Sequence, residues 1–498
     1  MIDTKYIREK ILDLAVRGKL VDQDPKDGDA RDLLEEIQKE KEELIKAKKI
    51  KREKKVSEIK EEEIPFEIPD SWVWVRLGKI VQVKGGKRVP KGKSLVNTNT
   101  GYKYIRVTDM RNGTILSDDI QYLDSNTYEL IKSYTISSND LYITVAGTIG
   151  RVGTIPFEFD GSNLTENADK LVLFNNLNKI FLKYTLSSNY AQNLISSYST
   201  KGSQPKLAIK NINNLIIPLP PQTEQERIVE KIEESFVLLD EIEEAQEQIT
   251  SLGEQVKSKT LDMAVRGELV PQDPSDGNAK DLLKEIQAEK EELITTKKIK
   301  KEKKLPEIRE EEMPFEIPDS WVWVRLGDYV TLINGDRSSN YPKISDLVTE
   351  GVPFFGAADM TSDKLDFSNV RFISEDIFNT LNRGKLEDYD LVTLLRGSVG
   401  KTSLFRKNNE FVTGFINAQM VILRELIKTD SSVLYLKFFL NSIYFINFSE
   451  KYKSGTAVSQ MPATTLRNVL IPLPPLAEQK RIVEKIEEIF AAVDAMIE

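Results

Sequence analysis

The sequence predicts an α+β chain made of two equivalent halves: two α+β domains separated by an antiparallel pair of long coiled-coil helices, related by an internal pseudo-twofold repeat. Two alignments of the chain with itself carry this expectation. Residues 15–78 match residues 264–327 without gaps, with 50 of 64 positions identical at an offset of 249, half of the 498-residue length. A second block, PLPPQTEQERIVEKIEE at 218–234, returns as PLPPLAEQKRIVEKIEE at 472–488, with 14 of 17 positions identical at an offset of 254. Between these blocks, residues 79–217 and 328–471 share little beyond length and a few glycines. The order constant, variable, constant, variable, constant marks a duplicated unit.

The constant parts read as helices. From Gln225 to about Gly267 there is no proline, and Ile228, Ile232, Phe236, Leu239, Ile242, Ile249, Leu252 and Val256 recur mostly at spacings of three, four or seven. That periodicity predicts a helix of roughly 40 residues, about 60 Å long at 1.5 Å per residue. A DP-x-DG turn precedes a second helix expected from Ala279 to about Lys304, matched in the first half by Ala30 to Lys55. The C-terminal segment Ala477–Glu498 repeats the first part of the long helix, and Lys5–Arg17 repeats its last part. The two termini are therefore expected to form a discontinuous second copy of that helix, antiparallel to the first.

The variable inserts read as α+β. Short β-rich runs, Tyr104–Val107, Leu141–Val145 and Leu391–Leu395, lie between clusters of Gly, Asn, Asp and Ser, and each insert also holds a helical stretch, 179–197 and 431–449. The four tryptophans, Trp72, Trp74, Trp321 and Trp323, all fall in the two copies of IPDSWVWVRLG. They read as anchors that dock the first strand of each insert, in preference to a stacking platform for bases.

Composition excludes whole classes of chemistry. There is no Cys and no His, so disulfides, thiolate nucleophiles, zinc sites with Cys or His ligands, catalytic triads and histidine acid–base catalysis are ruled out. GSVGKT at 397–402 resembles the end of a phosphate-binding loop but has Leu395 where the motif needs glycine. GTIGRVG at 147–153 follows a strand without the acidic residue of a dinucleotide fold. No Asn/Asp-Pro-Pro-Tyr/Phe motif of an amino-methyltransferase occurs. Apolar runs fall short of the ~18 residues of a membrane span, and the N-terminus has no signal-peptide pattern, so a cytoplasmic chain without membrane contact is expected.

The net charge of −9 is unevenly distributed. Residues 79–217 carry 17 Lys+Arg against 10 Asp+Glu, or +7, while residues 328–471 carry 16 of each, leaving −16 on the constant regions. The first insert thus suits a nucleic-acid surface, whereas the second needs local clustering. The densest basic run holds Lys84, Lys87, Arg88, Lys91 and Lys93 in ten residues without an acid; it reads equally as a phosphate-contacting loop or as an exposed, soluble one. Further candidates are Lys201, Gln204 and Lys206 near the end of the first insert, with Lys453 and Gln460 as their counterparts. The glycine turns present Arg151 and Arg396/Lys401, and Arg337 and Arg383 complete the set.

IPDSWVWVRLG before each insert, G-[ST]-[IV]-G within it and IPLPPLAEQKRIVEKIE after it together resemble the specificity subunits of Type I restriction–modification systems, over essentially the whole chain. The resemblance implies that the inserts are target recognition domains reading two halves of a bipartite site in double-stranded DNA, at a gap set by the coiled coil. It also implies that the chain is not catalytic and holds no cofactor. Two modification subunits would carry S-adenosylmethionine and methylate adenine, and two restriction subunits would use ATP and Mg to translocate and cleave. The expected division is 1–66 helical, 67–222 first recognition domain, 223–315 central helices, 316–476 second recognition domain and 477–498 terminal helix. The rival reading is a helical scaffold whose inserts bind protein or carbohydrate.

Overall fold

The computed structural model describes residues 1–50, 52, 56–174, 176–199, 205–454 and 459–498, which divide into two units, Met1–Ala245 and Gln246–Glu498. The first unit opens on helix α1 (Thr4–Val16), capped by the Asp3 carboxylate, which accepts from Tyr6 N–H. An Asp24-capped turn leads to α2 (Ala30–Lys46), capped by Asp29. Ala30, Leu33 and Ile37 of α2 are buried against Leu77 and Ile80. The insert starts on strand Val73–Arg76 and ends on Ile216–Leu219, and these two strands pair antiparallel, Val73 opposite Leu219. The insert therefore enters and leaves its unit at one place.

Within the insert, four antiparallel strands follow the order Val81–Gly85, Ala168–Leu173, Leu141–Thr144, Val152–Thr154. A smaller sheet places Lys103–Ile105 parallel to Asn163–Leu164. The second unit repeats this topology although its insert shares almost no sequence with the first. Val322–Arg325 pairs with Leu470–Leu473. Its main sheet runs Val330–Asn334, Met420–Glu425, Leu391–Leu394, Thr402–Leu404, and Val352–Phe355 lies parallel to Phe415–Ile416 in the smaller one.

The long helix α3 spans Gln222–Arg266, 45 residues, and the boundary between the units falls inside it. In the first unit α1 runs antiparallel along its N-terminal part: Ala15 packs with Ile228 and Ile232, and Arg8 pairs with Asp240 at 2.5 Å. The second unit continues from α3 into α4 (Ala279–Thr295) and closes on α5 (Leu476–Ile497). There α5 runs antiparallel along the C-terminal part of α3, with Leu261 and Ala264 against Ile482 and Ile486, and Lys257 paired with Asp494 at 2.5 Å. Gly253 lies tight against α5, since a Cβ there would lie 2.7 Å from Ile497 Cδ1. Among the described residues no helix is long and apolar enough to cross a membrane.

Two expected helix boundaries are corrected. The second helices stop at Lys46 and Thr295 instead of continuing to Lys55 and Lys304. Lys48 and Lys297 adopt positive φ, and Lys49 and Lys298 donate back to the carbonyls of Leu44 and Leu293, a left-handed cap that turns the chain out of the helix. The helical stretches 179–197 and 431–449 are each two helices, Lys179–Ser187 with Asn189–Tyr198 and Asp430–Phe439 with Ile443–Tyr452. Ser188 and Ser442 take extended backbone at the breaks and cap the second member.

Each constant motif meets the others at one buried junction. Trp72 is buried, and its Nε1–H donates to Glu224 Oε2 at 2.8 Å, while Gln23 donates to Glu224 Oε1. Gln225 Nε2 donates to Pro220 O, its Oε1 accepts from Asn178 N–H, and Arg227 pairs with Asp27 of the Asp-Pro turn. The second unit repeats the set with Trp321 and Gln272 on Glu478, Gln479 on Pro474 O, and Arg481 on Asp276, except that Gln479 Oε1 has no hydrogen-bond partner among the described residues. The anchoring role of Trp72 and Trp321 follows from these bonds. Burial pushes the Glu224 and Glu478 carboxyls up, against the pull of their Trp and Gln donors. Trp321→Phe leaves the Glu478 oxygen without its indole donor, and a loss of about 1–3 kcal/mol is expected in urea unfolding.

The second unit also buries a carboxyl without a basic partner in hydrogen-bond contact. Glu425 accepts from Tyr329 Oη at 3.1 Å and Ser432 Oγ at 2.5 Å, and burial pushes it up to about 8. Between the ordinary carboxylate range and about pH 8 the folded state binds one proton more than the unfolded state, so stability falls as pH rises through that window. Glu425→Gln should remove this decline, raising the unfolding midpoint at pH 8 more than at pH 5 in paired thermal scans.

Candidate nucleic-acid interface

Hydrogen bonds of the main chain hold both inserts in one frame. Gly86 N–H donates to Ala168 O and Gly335 N–H to Met420 O; Val145 to Asn167 O and Leu395 to Gln419 O; Leu207 to Val145 O and Met461 to Leu395 O. Glycine is required at the first of these crossings, because a Cβ on Gly86 or Gly335 would lie 2.0 Å from Thr165 O or 2.2 Å from Asn417 O. This frame makes Arg88 equivalent to Arg337, Ala146 to Arg396, Glu166 to Ala418, Asn167 to Gln419 and Lys206 to Gln460. The side chains at these matched positions differ throughout, except for the arginine.

In the second unit the matched positions line one open groove of about 820 Å³, with Arg337, Arg383, Arg396, Gln419 and Gln460 on its walls. Four residues singled out in the sequence, Arg337, Arg383, Arg396 and Gln460, thus come together from segments up to 123 positions apart. Arg337 Nη2 donates to Ala418 O at 2.9 Å, and Arg396 faces Gln460 across an isolated antiparallel bridge. The guanidinium groups of Arg383 and Arg396 make no ion pair among the described residues. Lys401 and Lys453 do not line this groove: Lys401 Nζ donates to Met360 O at 2.6 Å, and Lys453 pairs with Glu450.

The first unit fills the same frame differently. Lys84 is exposed on its strand, and Lys87, Arg88, Lys91 and Lys93 follow on the loop. Lys87 lies over the Tyr134 ring, 5.5 Å from its centroid. Arg88, 80% exposed, reaches Glu166 at 2.6 Å. Burial works to raise the Glu166 carboxyl, but the Arg88 hydrogen bond, with the backbone and Thr165, holds it below its ordinary range. Lys206 bridges Ala146, where the second unit pairs Gln460 with Arg396. Beside it Asp169 is buried, its Oδ2 without a hydrogen-bond partner among the described residues, and burial pushes it up to about 6 against the pull of Lys206. Arg151 takes the place of Lys401, with Nη1 on Met110 O at 3.2 Å. Lys201 and Gln204 lie outside the described residues.

Glu166, Asn167, Asn417 and Gln419 were not legible as site residues, since it is the glycine crossings at Gly86 and Gly335 that bring 165–167 and 417–419 beside them. Chemically, the arrangement offers guanidinium groups that can take guanine edges or phosphate, glutamines that can take adenine, and one carboxylate that can accept from an exocyclic amine.

Comparison with known proteins gives one family. Residues 69–250 and 318–497 each match the model of the Type I restriction modification DNA specificity domain. The Type I restriction enzyme EcoAI specificity subunit of Escherichia coli is 28% identical over 97% of this chain and 88% of that protein. The EcoEI specificity subunit, also from Escherichia coli, is 28% identical over 99% and 90%. Among solved structures, the HsdS subunit from Thermoanaerobacter tengcongensis shares the fold with a TM-score of 0.50, at 22% identity over 87% of this chain and 93% of that one. Matched twice, once in each half and over most of its length, this chain belongs to the family of Type I restriction–modification DNA specificity subunits.

Proposed function

We propose that the chain is the non-catalytic reading subunit of a Type I restriction–modification complex, with residues 67–222 and 316–476 each recognising one half of a bipartite site in duplex DNA. The observation that carries this reading is the shared main-chain frame with different side chains at matched groove positions. One frame presents Arg88 with Glu166 and Lys206, the other Arg337 with Arg396, Gln419 and Gln460. Such a pair reads two different sequences with one docking geometry. The constant helices 1–66, 223–315 and 477–498 carry the same faces twice, which suits two copies of one modification subunit. Methylation of adenine, ATP-driven translocation and cleavage then belong to the partner subunits.

Reading by separate surfaces predicts separable defects. Arg396→Ala with Gln460→Ala should relax one half-site only, and Arg88→Ala with Glu166→Ala the other only, each bidentate contact being worth about 1–3 kcal/mol of discrimination. Mapping of methylated adenines in cells carrying each variant checks this; a change in both half-sites from either variant would contradict modular reading. Adding four residues within α3 lengthens it by about 6 Å. The methylated motif should then keep both half-sites and change its gap.

A further inference from the structure

We propose that the lysine-rich segment following α4 is a sequence-independent clamp on the phosphate backbone of the duplex. The proposal rests on the DNA-reading role argued above and extends it to a constant surface. Beyond the cap at Lys297 the chain runs KK-I-KK-E-KK-L from Lys297 to Leu305. Every third residue is tied down. Ile299 N–H donates to Leu293 O, Glu302 pairs with Arg467 at 2.7 Å, and Leu305 Cδ1 packs at Gly327, 3.1 Å from where a Cβ would stand. The pairs between these anchors, Lys297 and Lys298, Lys300 and Lys301, Lys303 and Lys304, are all exposed, and none forms an ion pair among the described residues. The single acid of the segment is already taken by Arg467, so six positive charges in eight residues face water unneutralised.

The position of this segment points to DNA. A cleft of about 820 Å³ beside it is walled by Lys298 and Lys300 on one side and by Asn334 and Arg383 on the other. Asn334 and Arg383 also line the reading groove. The cleft also holds Glu302 and Glu387, paired with Arg467 and Arg424, and it joins the groove to the lysine segment through the shared Asn334 and Arg383. The segment also supplies what the second insert lacks, since residues 328–471 carry no net charge. The first half repeats the pattern as KK-I-KR-E-KK-V from Lys48 to Val56. A segment nearly identical in both halves cannot distinguish two half-sites, which suits contact with phosphate in place of base edges.

The test uses the full-length chain and fluorescence anisotropy with a target duplex and a scrambled duplex of about 40 base pairs, at salt from about 50 to 300 mM. Replacing Lys298, Lys300, Lys301 and Lys303 by Gln should weaken both duplexes by a similar factor. The log–log salt dependence should become shallower by up to about four, near 0.9 for each lost phosphate contact. The methylated motif in cells should stay the same, and Lys→Arg at the four positions should restore binding, which separates charge from misfolding. Unchanged affinity and salt dependence would overturn the proposal, as would an altered motif. So would a variant that binds DNA normally but loses its modification subunit, which would make the segment a protein-docking surface. If Arg396→Ala relaxes its half-site while the lysine variant keeps the full salt dependence, only this proposal fails. If neither variant affects DNA binding, the reading role fails with it.

Discussion

Everything in each unit hangs on a buried carboxylate at the start of a long helix. Glu224 takes the indole of Trp72 and the amide of Gln23, and Glu478 does the same with Trp321 and Gln272. A buried acid is costly unless its oxygens are filled. Filling them requires the strand that opens the insert, the turn that precedes the second helix and the first turn of the long helix to arrive at one point. Arg227 and Arg481, one turn further on, lock the Asp-Pro turns from the same helices.

The junction frees the insert. Because its first and last strands pair directly beside the anchored tryptophan, the residues between them that do not touch the helices can change freely, while Asn178 on Gln225 and Tyr435 against Ile482 and Ile486 tie part of each insert to its helix. The two inserts illustrate how far that change has gone: the main sheets keep their order, while the residues in them differ almost completely. What survives between them is main-chain geometry, above all the glycine crossings at Gly86 and Gly335.

The repeat, the long helix and the anchoring tryptophans were legible because each leaves a one-dimensional trace: identity at a fixed offset, apolar residues at three, four and seven, and indoles confined to one motif. Helix ends were less legible. Lys48 and Lys297 have good helix propensity and sit in an amphipathic pattern, yet Ile50 and Ile299 are held back against the helix, and the chain leaves it through a left-handed residue. The breaks at Ser188 and Ser442 were hidden likewise, since a serine inside an apolar periodicity signals a cap only once the backbone is seen to be extended.

Charge and the glycine turn singled out Arg337, Arg383 and Arg396, and the match to the Lys201–Lys206 segment singled out Gln460, but neither could place them side by side. That placement depends on backbone hydrogen bonds between segments far apart in the chain, which leave no periodic pattern. The same holds for the division among the cations. Lys401 and Arg151 are drawn to the carbonyls of Met360 and Met110, whereas Arg383 and Arg396 stay without an ion-pair partner among the described residues. The sequence by itself determined that the chain is a duplicated unit with two different inserts and without Cys or His, because duplication and composition are linear properties. Only the tertiary structure decided which polar groups converge on one surface, because convergence depends on which carbonyls and carboxylates the fold leaves unfilled.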